Sequence, residues 1–206
     1  MSGSVKGSMW DARPPSPPGP HPRRAALQAI CAHLQAVPPA PAVDLAPVLA
    51  AVREAEATPG VEVLSDLRSV PATPDAAVRI GMAAAELLRN AIVHAFPPNA
   101  RGEIGFHLWP VDRLPGVCAF VMVCDDGCGF GAEQPPGSGS GLAVARRMVR
   151  RAGATLARTA CSGTVWHLAI PDRAAKPFGP SCQVARGPAQ PFNPAMRRLQ
   201  PLWHPN

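Results

Sequence analysis

Residues 86–96, ELLRNAIVHAF, constrain this chain more than any other stretch. Upstream of them, Thr73 and Pro74 supply an N-cap and a first-turn proline. Val78, Met82, Ala85, Leu88, Ile92 and Phe96 then recur at helical spacing, with Leu87 and Ala91 widening the stripe. The spacing predicts one long helix over about 74–96, stopped by Pro97-Pro98. Glu86, Asn90 and His94 fall at i, i+4 and i+8 and share one side of it. Three polar groups along a largely apolar helix need partners, because unpaired burial costs several kcal/mol. An oxygen-rich ligand with its metal satisfies them. Hydrogen bonds to a neighbouring loop do so equally, and His94 taken alone reads as a packed histidine.

The flanking pattern is mixed α/β. Residues 21–36 read as a short helix with Leu27, Ile30, Cys31 and Leu34 on one face, broken by PPAPA at 38–42. Asp44 is expected to cap a second helix over roughly 45–57. Strands are expected at 61–70, 102–109 and 117–125, the last a near-continuous apolar run suited to a buried central position. A glycine-dense loop leads to a helix over about 140–152, and 154–160 with 164–170 read as a closing hairpin. Together these predict a two-layer α/β sandwich, one mixed sheet with helices on one face.

Composition bounds the ends. Of the 27 prolines, six fall at 14–22 and seven at 172–206, so the tails are Pro-rich and the middle is not. The expected organisation is a disordered segment at 1–20, a short helical segment at 21–58, the main domain at 59–171 and a disordered basic tail at 172–206. The formal charge of +6 owes much to tail arginines, and no basic run interleaves with aromatics, so no nucleic-acid partner is expected. No apolar run approaches membrane-spanning length and the N-terminus carries no signal-peptide core, which reads as a soluble, cytoplasmic protein. The six cysteines are scattered. Cys124 and Cys128 flank a glycine-rich turn, but no second pair completes a zinc site.

Two glycine motifs carry chemistry. Asp125-Asp126-Gly127-Cys128-Gly129 is a DxGxG at the end of the buried strand. A carboxylate there accepts hydrogen bonds from an exocyclic amine such as N6 of adenine, and the glycines admit a ligand to the backbone. In isolation the same residues make an ordinary strand-to-loop turn. Gly137-Ser138-Gly139-Ser140-Gly141-Leu142 opens the next helix, where free N–H groups and the positive dipole end suit phosphate. A flexible Gly/Ser linker is the other reading. Neither the Walker A nor the Rossmann pattern fits.

In order, ELLRNAIVHAF, VCDDGCGF, GSGSGLAVARRMVRRAGATL and SGTVWHLAIP resemble the N, G1, G2 and G3 boxes of the superfamily of gyrase, heat-shock chaperone, histidine kinase and mismatch-repair ATPases. The catalytic domains of bacterial sensor histidine kinases are the nearest likeness, over about 61–171. The resemblance implies the Bergerat α/β sandwich, with ATP and Mg²⁺ as cofactors. Asn90 matches the Mg²⁺ ligand, and Glu86 the acidic residue before it, which orients or deprotonates the acceptor. His94 falls at a phosphate-contacting position. Asp125 matches the adenine-binding aspartate, with Gly127 and Gly129 shaping the pocket. Gly137, Gly139, Gly141 and Leu142 match the phosphate-side lid and helix start, and Thr164 the threonine that supports Asp125.

HPRRAALQAI, from His21, resembles the HRxxNNLQxI opening of one kinase class, which implies His21 as a phosphoacceptor and 21–58 as a truncated dimerisation hairpin. Ala25-Ala26 replace the asparagines of that pattern, and Pro22 follows the histidine. Only FGAEQPP separates Gly129 from Gly137, a short lid. No sensor or receiver domain is expected within these residues. The implied function is transfer of the γ-phosphoryl of Mg-ATP to a protein histidine in two-component signalling. A response regulator or another phosphoacceptor protein is the implied partner, with a homodimer as an allowed assembly. Two alternatives stand beside it: a stand-alone serine kinase of the anti-sigma-factor type, and an ATP-binding regulatory module without turnover.

Overall fold

Thr73 begins the central helix as its spacing predicts: the hydroxyl oxygen accepts the Ala76 N–H at 3.3 Å, Pro74 occupies the first turn, and Asp75 pairs with Arg79 one turn on at 2.7 Å. The computed structural model describes residues 22–97, 102–112, 114–128, 140–160 and 163–172. His21, Gly129, Gly137, Gly139, the lid residues and both tails lie outside the described residues.

In chain order the elements are α1 (Pro22–Ala36), β1 (Val43–Asp44), α2 (Leu45–Ala55), β2 (Val61–Leu67), β3 (Pro71–Ala72), α3 (Pro74–His94), β4 (Gly102–Pro110), β5 (Val117–Asp125), α4 (Ser140–Ala152), β6 (Thr155–Ala160) and β7 (Thr164–Pro171). The main sheet runs β2-β4-β5-β7-β6. β2 is parallel to β4 and the other pairs are antiparallel, which makes the mixed sheet of an α/β sandwich. Ile104, Phe106 and Leu108 of β4, Ala119, Val121 and Val123 of β5, and Trp166, Leu168 and Ile170 of β7 alternate onto the face covered by helices.

α3 is buried nearly all round over 81–88, not along one stripe, because the sheet lies on one side and the other helices on the rest. Gly81 permits the closest of these contacts: a Cβ there would lie 2.9 Å from Ile30 Cδ1 of α1. Ala26 and Ile30 of α1, with Leu45, Val48, Leu49 and Val52 of α2, join the same core as α3 and the sheet.

Several boundaries differ from the sequence reading. α3 ends at His94 rather than 96, α2 at Ala55 rather than 57, and β2 at Leu67 rather than 70. The single sheet gains a companion, the antiparallel pair of β1 and β3, with Val43 opposite Ala72 and Asp44 opposite Pro71. Asp44 fastens it: Oδ1 accepts from both the Ala46 N–H, capping α2, at 3.0 Å and the Val70 N–H at 3.1 Å. Asp44→Ala is therefore expected to lower unfolding free energy by about 1–2 kcal/mol, read from the urea midpoint, with unchanged secondary structure. Among the described residues no helix is long and apolar enough to cross a membrane.

Candidate functional site

The parity that sends Val121 and Val123 into the core sends Asp125, two residues on, to the same face at the strand's end, opposite Thr164 of β7 and Ile104 of β4. Its side chain is fixed by backbone: Oδ1 accepts the Gly127 N–H and the Thr164 N–H, each at 3.2 Å. Burial pushes the Asp125 carboxyl above its ordinary value, and those two N–H groups oppose the shift. Thr164, itself buried, thus supports Asp125 through its main chain. Gly163 is part of the same knot, since a Cβ there would meet the Asp125 carbonyl oxygen at 1.9 Å.

The turn after Asp125 docks on the end of α3. The Cys128 N–H donates to the Ala95 carbonyl at 2.8 Å, and the Cys128 thiol to the His94 carbonyl at 3.7 Å. Gly127 passes so close that a Cβ would lie 2.1 Å from the Ala95 carbonyl oxygen. DxGxG at this position therefore answers to packing against α3 as well as to any ligand. Gly127→Ala must push the turn away from α3 and unmake the N–H contact with Asp125. The expected result is a stability loss of about 1–3 kcal/mol in urea together with loss of nucleotide binding by titration.

On α3, Glu86 is 5% exposed, Asn90 is half-buried and His94 is exposed. Glu86 does not stand free: Arg23, from the first turn of α1, pairs with it through Nε and Oε1. Gly141, at the start of α4, comes down on the same carboxylate, and a Cβ there would lie 2.7 Å from Glu86 Oε2 and 3.8 Å from an Arg23 guanidinium nitrogen. Leu142 is buried in the core and anchors that end of α4. The structure thus brings Asp125, Gly127 and Thr164 together, with the turn they form seated beside His94, and separately brings Glu86 to Gly141.

Three site neighbours escaped the sequence reading. Arg23 sits beside His21 with no pattern to mark it, Gly163 is visible in the sequence as part of the turn of the closing hairpin and of the last box, and nothing singles out Glu56 within the helix expected over 45–57. Glu56 is buried and pairs with Arg89 of α3, one turn beyond Glu86. Burial raises its carboxyl above the ordinary value and Arg89 pulls it back.

The donor set fits a hard cation brought in by a nucleotide. Among the described residues no three His, Cys, Asp or Glu converge into an all-protein metal cage. Asn90 offers a neutral amide oxygen, and Mg²⁺ characteristically takes few protein ligands and fills the rest with phosphate and water.

The architecture is that of a histidine kinase-like ATPase domain. The chain is similar to the histidine kinase domain of the Erythrobacter litoralis EL346 blue-light activated histidine kinase, at 25% identity and a TM-score of 0.62 over 73% of this chain and 73% of that one. The larger EL346 protein matches at 25% identity and a TM-score of 0.60 over 75% of this chain and 54% of that one, so the chain spans about half of its length. No family model and no curated protein matches the sequence.

Proposed function

We propose that the chain binds Mg-ATP and transfers its γ-phosphoryl group to a protein histidine, as the catalytic domain of a cytoplasmic two-component kinase spanning 59–171. The observation that carries this reading is the knot of Asp125, Gly127 and Thr164 seated on the end of the helix that bears Glu86 and Asn90, in a fold shared with a histidine kinase domain.

In this reading the second carboxylate oxygen of Asp125 accepts the adenine N6 amine, and Gly127, with Gly129, keeps side chains out of the base's way. Gly137, Gly139 and Gly141 lead the phosphates to the N-terminus of α4, where Leu142 fixes the helix. His94 reaches the phosphates from the end of α3. Asn90 would hold Mg²⁺, which supplies charge neutralisation on the transferring oxygens. Glu86 orients the acceptor imidazole and takes up its proton, and His21 is the acceptor in cis. A response regulator or another phosphoacceptor protein receives the group next, and a homodimer would bring two such domains together.

Incubation with Mg-[γ-³²P]ATP, followed by acid and alkali treatment, tests this. Label on the chain that is lost in acid, kept in alkali and absent from His21→Ala supports it. Acid-stable label overturns the histidine acceptor in favour of a serine.

One observation favours a second reading, a nucleotide-regulated binding module. Glu86 is already engaged by Arg23 of the same chain, which takes a general base out of use. ATP binding with no label on the chain or on an added response regulator, restored to labelling by Arg23→Ala, is the result that reading expects.

A further inference from the structure

The face of the main sheet turned away from the helices is apolar in its middle and deeply buried, although no described element lies over it. Trp109, Met122, Cys124 and Val165 form a second cluster made of strand residues only, separate from the core shared with the helices. His107 stands among them in register with Met122, stacked on Trp109 at 4.9 Å between ring centroids. These five side chains are between 1% and 9% exposed in a single copy of the chain. Neither ring nitrogen of His107 has a hydrogen-bond partner among the described residues. An open sheet face leaves one side of each such residue to water. Burial this deep in an isolated chain requires other residues of the same chain.

Residues 173–206 fit that role. They leave directly from the sheet, following β7, whose end is held where the Asp172 N–H donates to the Gly116 carbonyl at 3.3 Å. Residue 21, by contrast, leads into α1 on the helix side. The 34 residues 173–206 carry Phe178, Phe192, Leu199, Leu202 and Trp203. Their length reaches about 110 Å when extended, while five strands span only about 20 Å. Charge agrees. The segment holds five basic residues and no Asp or Glu. On the sheet face, the parity of β2 and β4 aligns Glu62, Asp66 and Glu103 with His107. Asp66 already pairs with Arg68, just past β2, at 3.3 Å and accepts the Trp109 Nε1–H at 2.8 Å, whereas Glu62 and Glu103 form no ion pair with any described residue.

We propose that the outer face of the sheet is a docking surface for the chain's own C-terminal segment, residues 173–206, which lays its aromatic residues on the His107–Trp109–Met122–Cys124–Val165 patch and its basic residues against Glu62 and Glu103. The Pro-rich tail is then a structural cover rather than a solvated appendage, and the sheet has no free apolar face.

Hydroxyl-radical footprinting of the full-length wild-type chain tests it without any substitution. At least one of Phe178, Phe192 and Trp203 is expected to oxidise several-fold more slowly than the same residue in an unstructured peptide of the same sequence, and Trp10, judged in the same way, serves as the reference for the other end. Oxidation of all three at their peptide rates overturns the proposal, and protection of Trp10 alone assigns the cover to the N-terminal segment instead. In a second arm, the protected tail aromatic is changed to Asp in the full chain. Native-state alkylation of Cys124, mapped by peptide mass, is then expected to speed up by about tenfold or more while the exposed Cys128 is unchanged. A Cys124 rate indifferent to that change overturns the proposal even if the tail is protected elsewhere.

Discussion

On the proposed function, Asn90→Ala is expected to leave a folded domain that no longer transfers phosphoryl. The amide makes no hydrogen bond to any described residue, so its removal strands no buried partner. Alanine is also the better helix former, and stability should hold to within about 0.5 kcal/mol of wild type. The catalytic loss is of another order. A metal's neutralisation of transition-state charge is worth several kcal/mol, and losing about 4 kcal/mol of it slows transfer by roughly a thousandfold. The measurement pairs a urea melt with the labelling rate at saturating ATP. A variant that labels at the wild-type rate contradicts the role given to Asn90, and one that unfolds contradicts the structural argument.

The second large effect is on acid stability. Burial pushes the His107 imidazole down to about 4 from an ordinary 6.5, against the opposing pull of the Asp66 carboxylate. The folded chain therefore keeps His107 neutral through a window in which the unfolded chain binds a proton. Stability from this group is complete above about pH 6.5 and is lost as pH falls towards 4. About 2.5 units correspond to roughly 3 kcal/mol. Burial lowers His167 in the same direction, while the raised carboxyls of Glu56 and Asp125 act with the opposite sign. Only the difference between chains isolates His107. His107→Leu should remove a drop of about 3 kcal/mol between pH 7 and pH 4 in urea melts, and a variant whose acid limb parallels wild type contradicts the assignment.

What was legible in the sequence followed from local signals. Thr73-Pro74 marks the start of α3 by a cap and a fixed φ, and the cap forms as expected. The strand expected at 102–109 and the apolar run of β5 depend on nothing distant, and both strands form. The end of α3 was less legible. Pro97-Pro98 forbids continuation, but the docking of the 126–128 turn on Ala95 closes the helix earlier. β1 and β3 have two residues each, too few for a period, and they exist because Asp44 bonds to Val70 across 26 positions. The ion pairs Arg23–Glu86 and Glu56–Arg89 join residues 63 and 33 positions apart. Helical spacing aligned Glu86 with Asn90 but had no means of naming its partner. Asp125 was placed by the end of an apolar strand, whereas its grip by the Thr164 N–H follows from the β5–β7 register, a tertiary fact.

Competition between ATP and GTP for the wild-type chain bears most directly on the site as a whole. In the proposed site, the buried carboxylate held by the Gly127 and Thr164 N–H groups would accept the N6 amine of adenine and repel the carbonyl oxygen that guanine presents in its place. Titration calorimetry with Mg²⁺ should therefore show saturable ATP binding and GTP binding weaker by about tenfold or more, the cost of one unsatisfied charged hydrogen bond. Asp125→Ala should lose ATP binding without gaining GTP. Equal affinity for the two nucleotides, or ATP binding untouched by Asp125→Ala, contradicts the placement of adenine on Asp125 and with it the nucleotide site built around it.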